Sequence, residues 1–493
     1  MGTKADHRTR LYALAGIFCF LLVLSLSLLY VTRCCDGPGV RTMRTVSLYS
    51  NELSVPAEGA TKLTVPMEEV SVQELDEQVR YSFLTGIGGR SERGGHPDVR
   101  YPDFQSATPR FGQIYLSDGS SGWRMHFALD HSEGQADTYD LFYFDEDYDF
   151  DLRNNTPRRP LKDPNGLPRP KIAGLESVWF EPVKIDVYFE GEGQRPIELL
   201  PRVRRYKDRE VQVTLVPSAV RRGRFELGGT TYEAFLGRGS SQTGRLNLGT
   251  SILRLVRIDG RQAGFDGGGQ LSLMRSLDGR WCRFSCTPTG DQLHVYPYEG
   301  PLGILRLDAG SRKTGRLEFW GILRGPDARI AIGQTLENGL QKGADQYEIP
   351  VGDYSAESLE VIVGNAGAIL SGTSRDSVSG AYRGNQAACN IAIREDQPFT
   401  LRFSHQPRVV FVRPERKERF ARGSDVRIEA LLVDPGLDVM LNRLSDMTRS
   451  EVKTYTLADG QKYIFDVGTS LEPRVAVTRA NGEAVGQGAM PFG

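Results

Sequence analysis

Cysteine is scarce in this chain, with six in 493 residues, and only Cys282, Cys286 and Cys389 stand beyond residue 35. That excludes the disulfide lattice of a small secreted scaffold. Cys282 and Cys286 lie four apart in WCRFSC; on one strand they would share a face about 13 Å apart, too far to bridge. They are expected as packed thiols. The adjacent Cys34 and Cys35 leave two readings open, spectator thiols or a link to a second chain or a lipid. Histidine is equally sparse. The five after His7 (His96, His126, His131, His294 and His405) form no H-E-x-x-H and adjoin no cysteine knuckle, so no histidine or thiolate metal centre is expected. Net charge is missing too: 61 Lys and Arg against 62 Asp and Glu provide no field for a polyanion, which excludes nucleic acid as a partner. No catalytic signature is complete. Gly119-Ser120-Ser121-Gly122 lacks the spacing of a nucleophile elbow. The G-x-x-x-x-G runs from Gly239 and from Gly310 continue as Arg-Leu, not as the Lys and hydroxyl residue that a phosphate loop requires.

Long apolar runs are absent with one exception. Leu11 to Thr32 holds 22 residues without a charge; a helix of that length reaches about 33 Å, enough for a hydrocarbon core of about 30 Å. It exceeds the apolar stretch of about 7 to 15 residues in a cleaved signal peptide, and no A-x-A-like site ends it. A retained signal-anchor is therefore expected. Lys4, Arg8 and Arg10 before it balance Arg33, Arg41 and Arg44 behind it, so orientation rests on the short head and the long remainder. The expected address is the cytoplasmic membrane, single-pass, with the N-terminus inside and the globular region extracytoplasmic.

The remainder, about 460 residues, suffices for several domains. Its 55 glycines, about 11% against an ordinary 7%, suit a chain with many tight turns. Short alternating runs recur: GQIYLSD, WRMHFALD, YDLFYFD, VKIDVYFEG, REVQVTLVP, TTYEAFLG, ILRLVRID, QLHVYPY and GILRLD. Each is bounded by turn residues, as in antiparallel sheets. The one helix-like patch, Met67 to Val79, carries Glu68, Glu69, Glu74, Asp76 and Glu77. The fold expected is mainly β: an N-terminal transmembrane helix, then several antiparallel β-sandwich domains, the last immunoglobulin-like. The divisions are a head at 1–10, the span at 11–32, a stalk at 33–105, β-domains at 106–220 and 221–346, a small module at 347–406, and a self-contained sandwich of about seven strands at 407–493. Pro435 and Gly436 interrupt the last of these. The echoes SSQTGRLNLG and SRKTGRLEFWG suggest equivalent hairpins.

One segment offers site chemistry. In FDEDYDFDLRNNT, Asp145, Asp147, Asp149 and Asp151 alternate as in a loop that wraps calcium with oxygens. The position that normally holds the turn glycine carries Phe150, and the twelfth carries Thr156 in place of a bidentate Glu. A cation site and a solvated acidic turn compensated by Arg153, Arg158 and Arg159 both remain open. Asn154 heads a glycosylation triplet. Trp123, Trp179, Trp281 and Trp320 are expected in the core. His294, Tyr296 and Tyr298 would expose an aromatic patch if their strand lay at an edge.

HVYPYEGPLG, IPVGDY, FVRPERKERFARGSDVRIEALLVDPGLDVML and the terminal AMPFG carry a likeness. Over Tyr139 to Gly493 the chain resembles membrane-anchored or exported β-domain proteins of planctomycete bacteria. That resemblance implies location and architecture and no activity; in such proteins the stretch matching FDEDYDFDLRNNT often looks like a fuller D-x-N-x-D-G-D loop. Two functions follow as expectations. The first is a non-catalytic envelope protein acting in adhesion, structure or assembly with other envelope proteins or surface polymers. Its rival is an anchored hydrolase or carbohydrate-binding protein, marked by a concave site that pairs carboxylates or stacks aromatics.

Overall fold

The computed structural model describes residues 61–489 apart from internal stretches, the longest of which are 168–174, 259–268, 309–316 and 373–390. The expected membrane span, 11–32, lies outside the described residues, as do parts of both GRL echoes. Among the described residues no helix is long and apolar enough to cross a membrane. The chain is mainly β, in several antiparallel sheets.

The first strands are β1 (Leu63–Pro66), β2 (Glu68–Ser71), β3 (Ile87–Glu92), β4 (Arg110–Ser117), β5 (Gly122–Asp130), β6 (Leu141–Phe144), β7 (Leu175–Trp179), β8 (Val183–Phe189), β9 (Gly193–Tyr206) and β10 (Val211–Pro217). Then come β11 (Ala219–Leu227), β12 (Thr230–Gly237), β13 (Ile252–Arg257), β14 (Gly269–Gln270), β15 (Leu273–Leu277), β16 (Arg280–Cys286) and β17 (Gln292–Pro297). An eight-stranded sheet runs β6-β5-β4-β3-β10-β9-β7, with β8 also on β9; a five-stranded one runs β14-β13-β12-β11-β2. β1, β17, β16 and β15 begin a thirteen-stranded sheet that the later chain completes.

Residues 33–105 were expected as a stalk, yet β1, β2 and β3 each pair into a different one of these three sheets. The acidic patch from Met67 is correspondingly not one helix: only Glu77–Tyr81 is α-helical. The reason lies across the sheet, where Glu69 stands opposite Arg221 and Glu68 opposite Arg222. Glu69 and Arg221 approach to 3.4 Å, so the acids are cross-strand partners and not a helical face. The expected boundary at 220 falls inside β11 for the same reason.

The C-terminal segment is likewise not self-contained. Strand Val439–Thr456 pairs with Ala366–Gly372, so Arg408–Arg413, Glu429–Asp434 and Lys462–Ser470 join the thirteen-stranded sheet. Arg474–Thr478 and Ala484–Ala489 form a separate hairpin. Six strands are described there, in place of a seven-stranded immunoglobulin-like sandwich standing alone. Its sequence pattern was that of strands, and pattern does not say which sheet a strand joins.

The core of the eight-stranded sheet gathers Phe127, Phe142, Phe144 and Phe180 with Val213 and Leu215. Another cluster joins Val72, Phe83 and Trp179 to Val220 and Phe235, tying that sheet to the five-stranded one. Trp179 and Trp281 are buried as expected; the Trp281 indole donates to the Glu348 carbonyl at 3.0 Å.

Candidate cation site

β6 delivers the aspartate loop from a strand buried on both sides. Phe142 and Phe144 enter the main core, while Leu141 and Tyr143 face a smaller cluster with Val99, Ala128 and Leu152. Such a strand has little freedom, and Asp145 follows it directly, its N–H donating to the His126 carbonyl at 3.0 Å. The exit is held as firmly. Leu152 is fully buried, and Arg100 N donates to Phe150 O while Leu152 N donates to Arg100 O, both at 2.8 Å.

Between these anchors the backbone reverses twice, with φ of 62° at Tyr148 and 61° at Phe150. Left-handed conformation costs a residue with a Cβ about 1–2 kcal/mol. Phe150 therefore makes the bend that a calcium loop usually leaves to glycine, and the sequence's objection at this position does not hold for the backbone. Asp145 Oδ1 accepts from Asp149 N at 3.2 Å, Asp149 Oδ1 from Asp151 N at 2.7 Å, and Asp149 Oδ2 from Asn154 Nδ2 at 2.7 Å.

The structure brings three of the four expected aspartates together. One carboxylate oxygen from each of Asp145, Asp147 and Asp149 lies within 4.8 Å of the other two. Asp151 does not join them: its carboxylate takes Arg153 Nε at 2.8 Å and Nη2 at 2.6 Å, with Arg100 at 3.6 Å. The Arg153 hydrogen bond holds that carboxyl well below the usual range. Glu146 is diverted to the Arg158 guanidinium and to Lys184 N at 3.2 Å.

Asp145 is the informative member. Its side chain is fully buried, and among the described residues Oδ2 has no hydrogen-bond partner. Burial pushes its carboxyl up to about 6; hydrogen bonds from Phe150 and Asp149 oppose the rise, and the charges of Asp147 and Asp149 add to it. An orphaned buried carboxylate oxygen is costly. A hard divalent ion removes that cost, because calcium coordinates oxygens alone and tolerates irregular geometry. All three donors present are oxygens.

The other candidates do not assemble. His126 is buried beside His96 and Phe150, at 5.1 and 5.4 Å between ring centroids, and burial lowers its pKa. His131 stacks on Tyr139 at 4.2 Å. The strand carrying His294 and Tyr296 is not an edge: β17 lies between β1 and β16, Tyr296 is buried, and the Tyr298 hydroxyl donates to Pro301 O at 3.2 Å. Cys282 and Cys286 are buried free thiols. Burial pushes Cys282 up to about 12 and Cys286 higher, so neither supplies a thiolate.

Sequence reasoning passed over the buried Arg275, which donates to the carbonyls of Leu253, Gly269 and Gln270 at 2.8, 2.7 and 3.1 Å. Nothing distinguishes it in LSLMRSL from a strand arginine facing water. No family model matches the chain, and no curated protein or solved structure does.

Proposed function

We propose that this is an interaction protein of the cell envelope, its β-sheets held on the outer side of the cytoplasmic membrane by residues 11–32. The observation that carries the reading is the strand Arg408–Arg413, which ends the path of the thirteen-stranded sheet. Val409 and Phe411 are 51% and 58% exposed, while Val410 between them is 8% exposed. Among the described residues no strand pairs the outer edge of Arg408–Arg413, and an exposed apolar edge strand is the form in which β proteins receive another chain. The uncharged run at 11–32 and the resemblance to exported β-domain proteins support the address. Adhesion, envelope organisation and assembly with other envelope proteins or surface polymers all fit such a surface. The test is location. Protease added to intact spheroplasts is expected to digest the region after Arg33, and the full chain to leave the membrane fraction only with detergent; full protection, or release by buffer alone, rejects the reading.

A second reading concerns the loop, and the orphaned Asp145 Oδ2 favours it. Asp145, Asp147 and Asp149 bind a calcium-type ion that stabilises the eight-stranded sheet. Calcium at 100-fold over its dissociation constant would add about 2.7 kcal/mol. A rise in melting temperature that the double variant Asp147→Ala, Asp149→Ala loses is the expected result, and no rise in the wild type retires the site.

A further inference from the structure

At the seam of the eight- and five-stranded sheets lies a cavity of about 240 Å³ with Lys184, Arg195, Arg221 and Arg238 in its lining against Glu69 and Glu198. Three of the four cations have carboxylate partners. Lys184 reaches Glu198 at 3.9 Å, and Arg195 and Arg221 share Asp291 at 3.5 and 3.2 Å, with Arg221 also 3.4 Å from Glu69. Arg238 does not: its Nε donates to the Gly244 carbonyl at 3.1 Å, and among the described residues no carboxylate forms an ion pair with it. Its pKa falls to about 10, from burial first and then from Arg221, with the charge of Glu69 opposing the fall, so it stays charged at neutral pH.

The backbone is built to hold it there. Arg238 follows β12 between two glycines, at each of which a side chain is impossible: a Cβ at Gly237 would stand 2.4 Å from the Phe83 ring, and one at Gly239 only 2.0 Å from Thr250 O. Close packing on both sides fixes the arginine's place. Arg238 is partly buried, and Glu69, whose charge acts on it, is already paired with Arg221; an anion beside such an under-compensated guanidinium restores the balance.

We propose that this cavity binds a small anion, a phosphate or carboxylate borne on a molecule no larger than a monosaccharide, with Arg238 as the principal contact and Arg195 and Lys184 at the rim. The size follows from the volume, which is below the roughly 300–1,000 Å³ of pockets for drug-sized ligands. This inference is independent of the calcium loop and of the membrane address.

The test is calorimetric titration of the purified full chain in mild detergent, at fixed ionic strength, with inorganic phosphate, glucose 6-phosphate, glucuronate, glycerol 3-phosphate and neutral glucose. At least one anion is expected to bind with a dissociation constant of about 1 mM or tighter, and glucose not to bind. Tightest binding of the sugar anions marks a saccharide as the source, and tightest binding of glycerol 3-phosphate marks a lipid-type headgroup. Arg238→Gln should weaken the best anion at least ten-fold, Arg195→Gln two- to five-fold, and Arg474→Gln, on the exposed C-terminal hairpin, not at all. The Arg195 variant and the wild-type titration decide the matter if Arg238→Gln fails to fold. Absence of anion binding by the wild type, equal binding of glucose, or full binding by a folded Arg238→Gln overturns the proposal.

Discussion

β5 and β6 on one side, and the C-terminal hairpin of Arg474–Thr478 and Ala484–Ala489 on the other, are both antiparallel pairs. Every residue from Met125 to Asp130 and from Leu141 to Phe144 is buried, while in the hairpin all but one residue is exposed. Pairing alone makes a strand, whereas burial requires a second layer, and an isolated hairpin is marginally stable in water. The N-terminal sheet therefore carries the stability and a precisely held loop. The C-terminal hairpin carries exposed surface.

The largest expected effect tests that division. Phe142→Ala removes a ring enclosed by Phe127, Phe144 and Phe180 and should cost about 3–5 kcal/mol in urea unfolding. Val485→Ala, at a residue 61% exposed, should stay within about 0.5 kcal/mol. Comparable losses at the two positions would remove the contrast.

Asp145→Asn sharpens it from the side of the loop. Burial holds the folded carboxyl up at about 6, against an ordinary 3.8 in the unfolded chain, so between those values the folded state holds more protons than the unfolded one. The ion-free protein accordingly gains stability below that window and loses it as pH rises through about 6, by roughly 3 kcal/mol at most. The Asn variant lacks this loss. Its stability relative to wild type should rise between pH 4 and pH 8 without calcium, and the order should reverse when calcium is added. A pH-independent difference measured by thermal melting would remove Asp145 as the buried charge.

How far the sequence reached is visible in these same residues. WRMHFALD and YDLFYFD announced strands by alternation and apolar content, and the structure has β5 and β6 there. Alternation is a local signal. It could not show that β2 pairs with β11 across about 150 residues of chain, nor that strand Val439–Thr456 extends a sheet begun elsewhere, because register over long separations is set by packing. The acidic spacing similarly showed that Asp145, Asp147, Asp149 and Asp151 belong to one loop. Which three converge depends on Arg153 and Arg100 drawing Asp151 away, and Arg100 lies about fifty positions upstream. Arg238 had no legible signal, since its isolation is a property of what surrounds it in space.

The smallest expected effect concerns the exposed edge. Val409→Ser with Phe411→Ser alters two side chains that point into solvent from Arg408–Arg413, so the unfolding free energy should shift by no more than about 0.5 kcal/mol. Hydrogen exchange provides the finer measurement. Amides of Arg474–Ala489 should exchange orders of magnitude faster than those of β5 in the isolated chain, since local opening exposes so little apolar surface there. If the edge receives another strand in the membrane, amides of Arg408–Arg413 should be slower in native vesicles than in detergent, and the double Ser variant should lose that difference while its β5 protection is unchanged. Equal exchange in both settings would leave the edge an ordinary surface and the C-terminal sheet without the role that its exposure suggests.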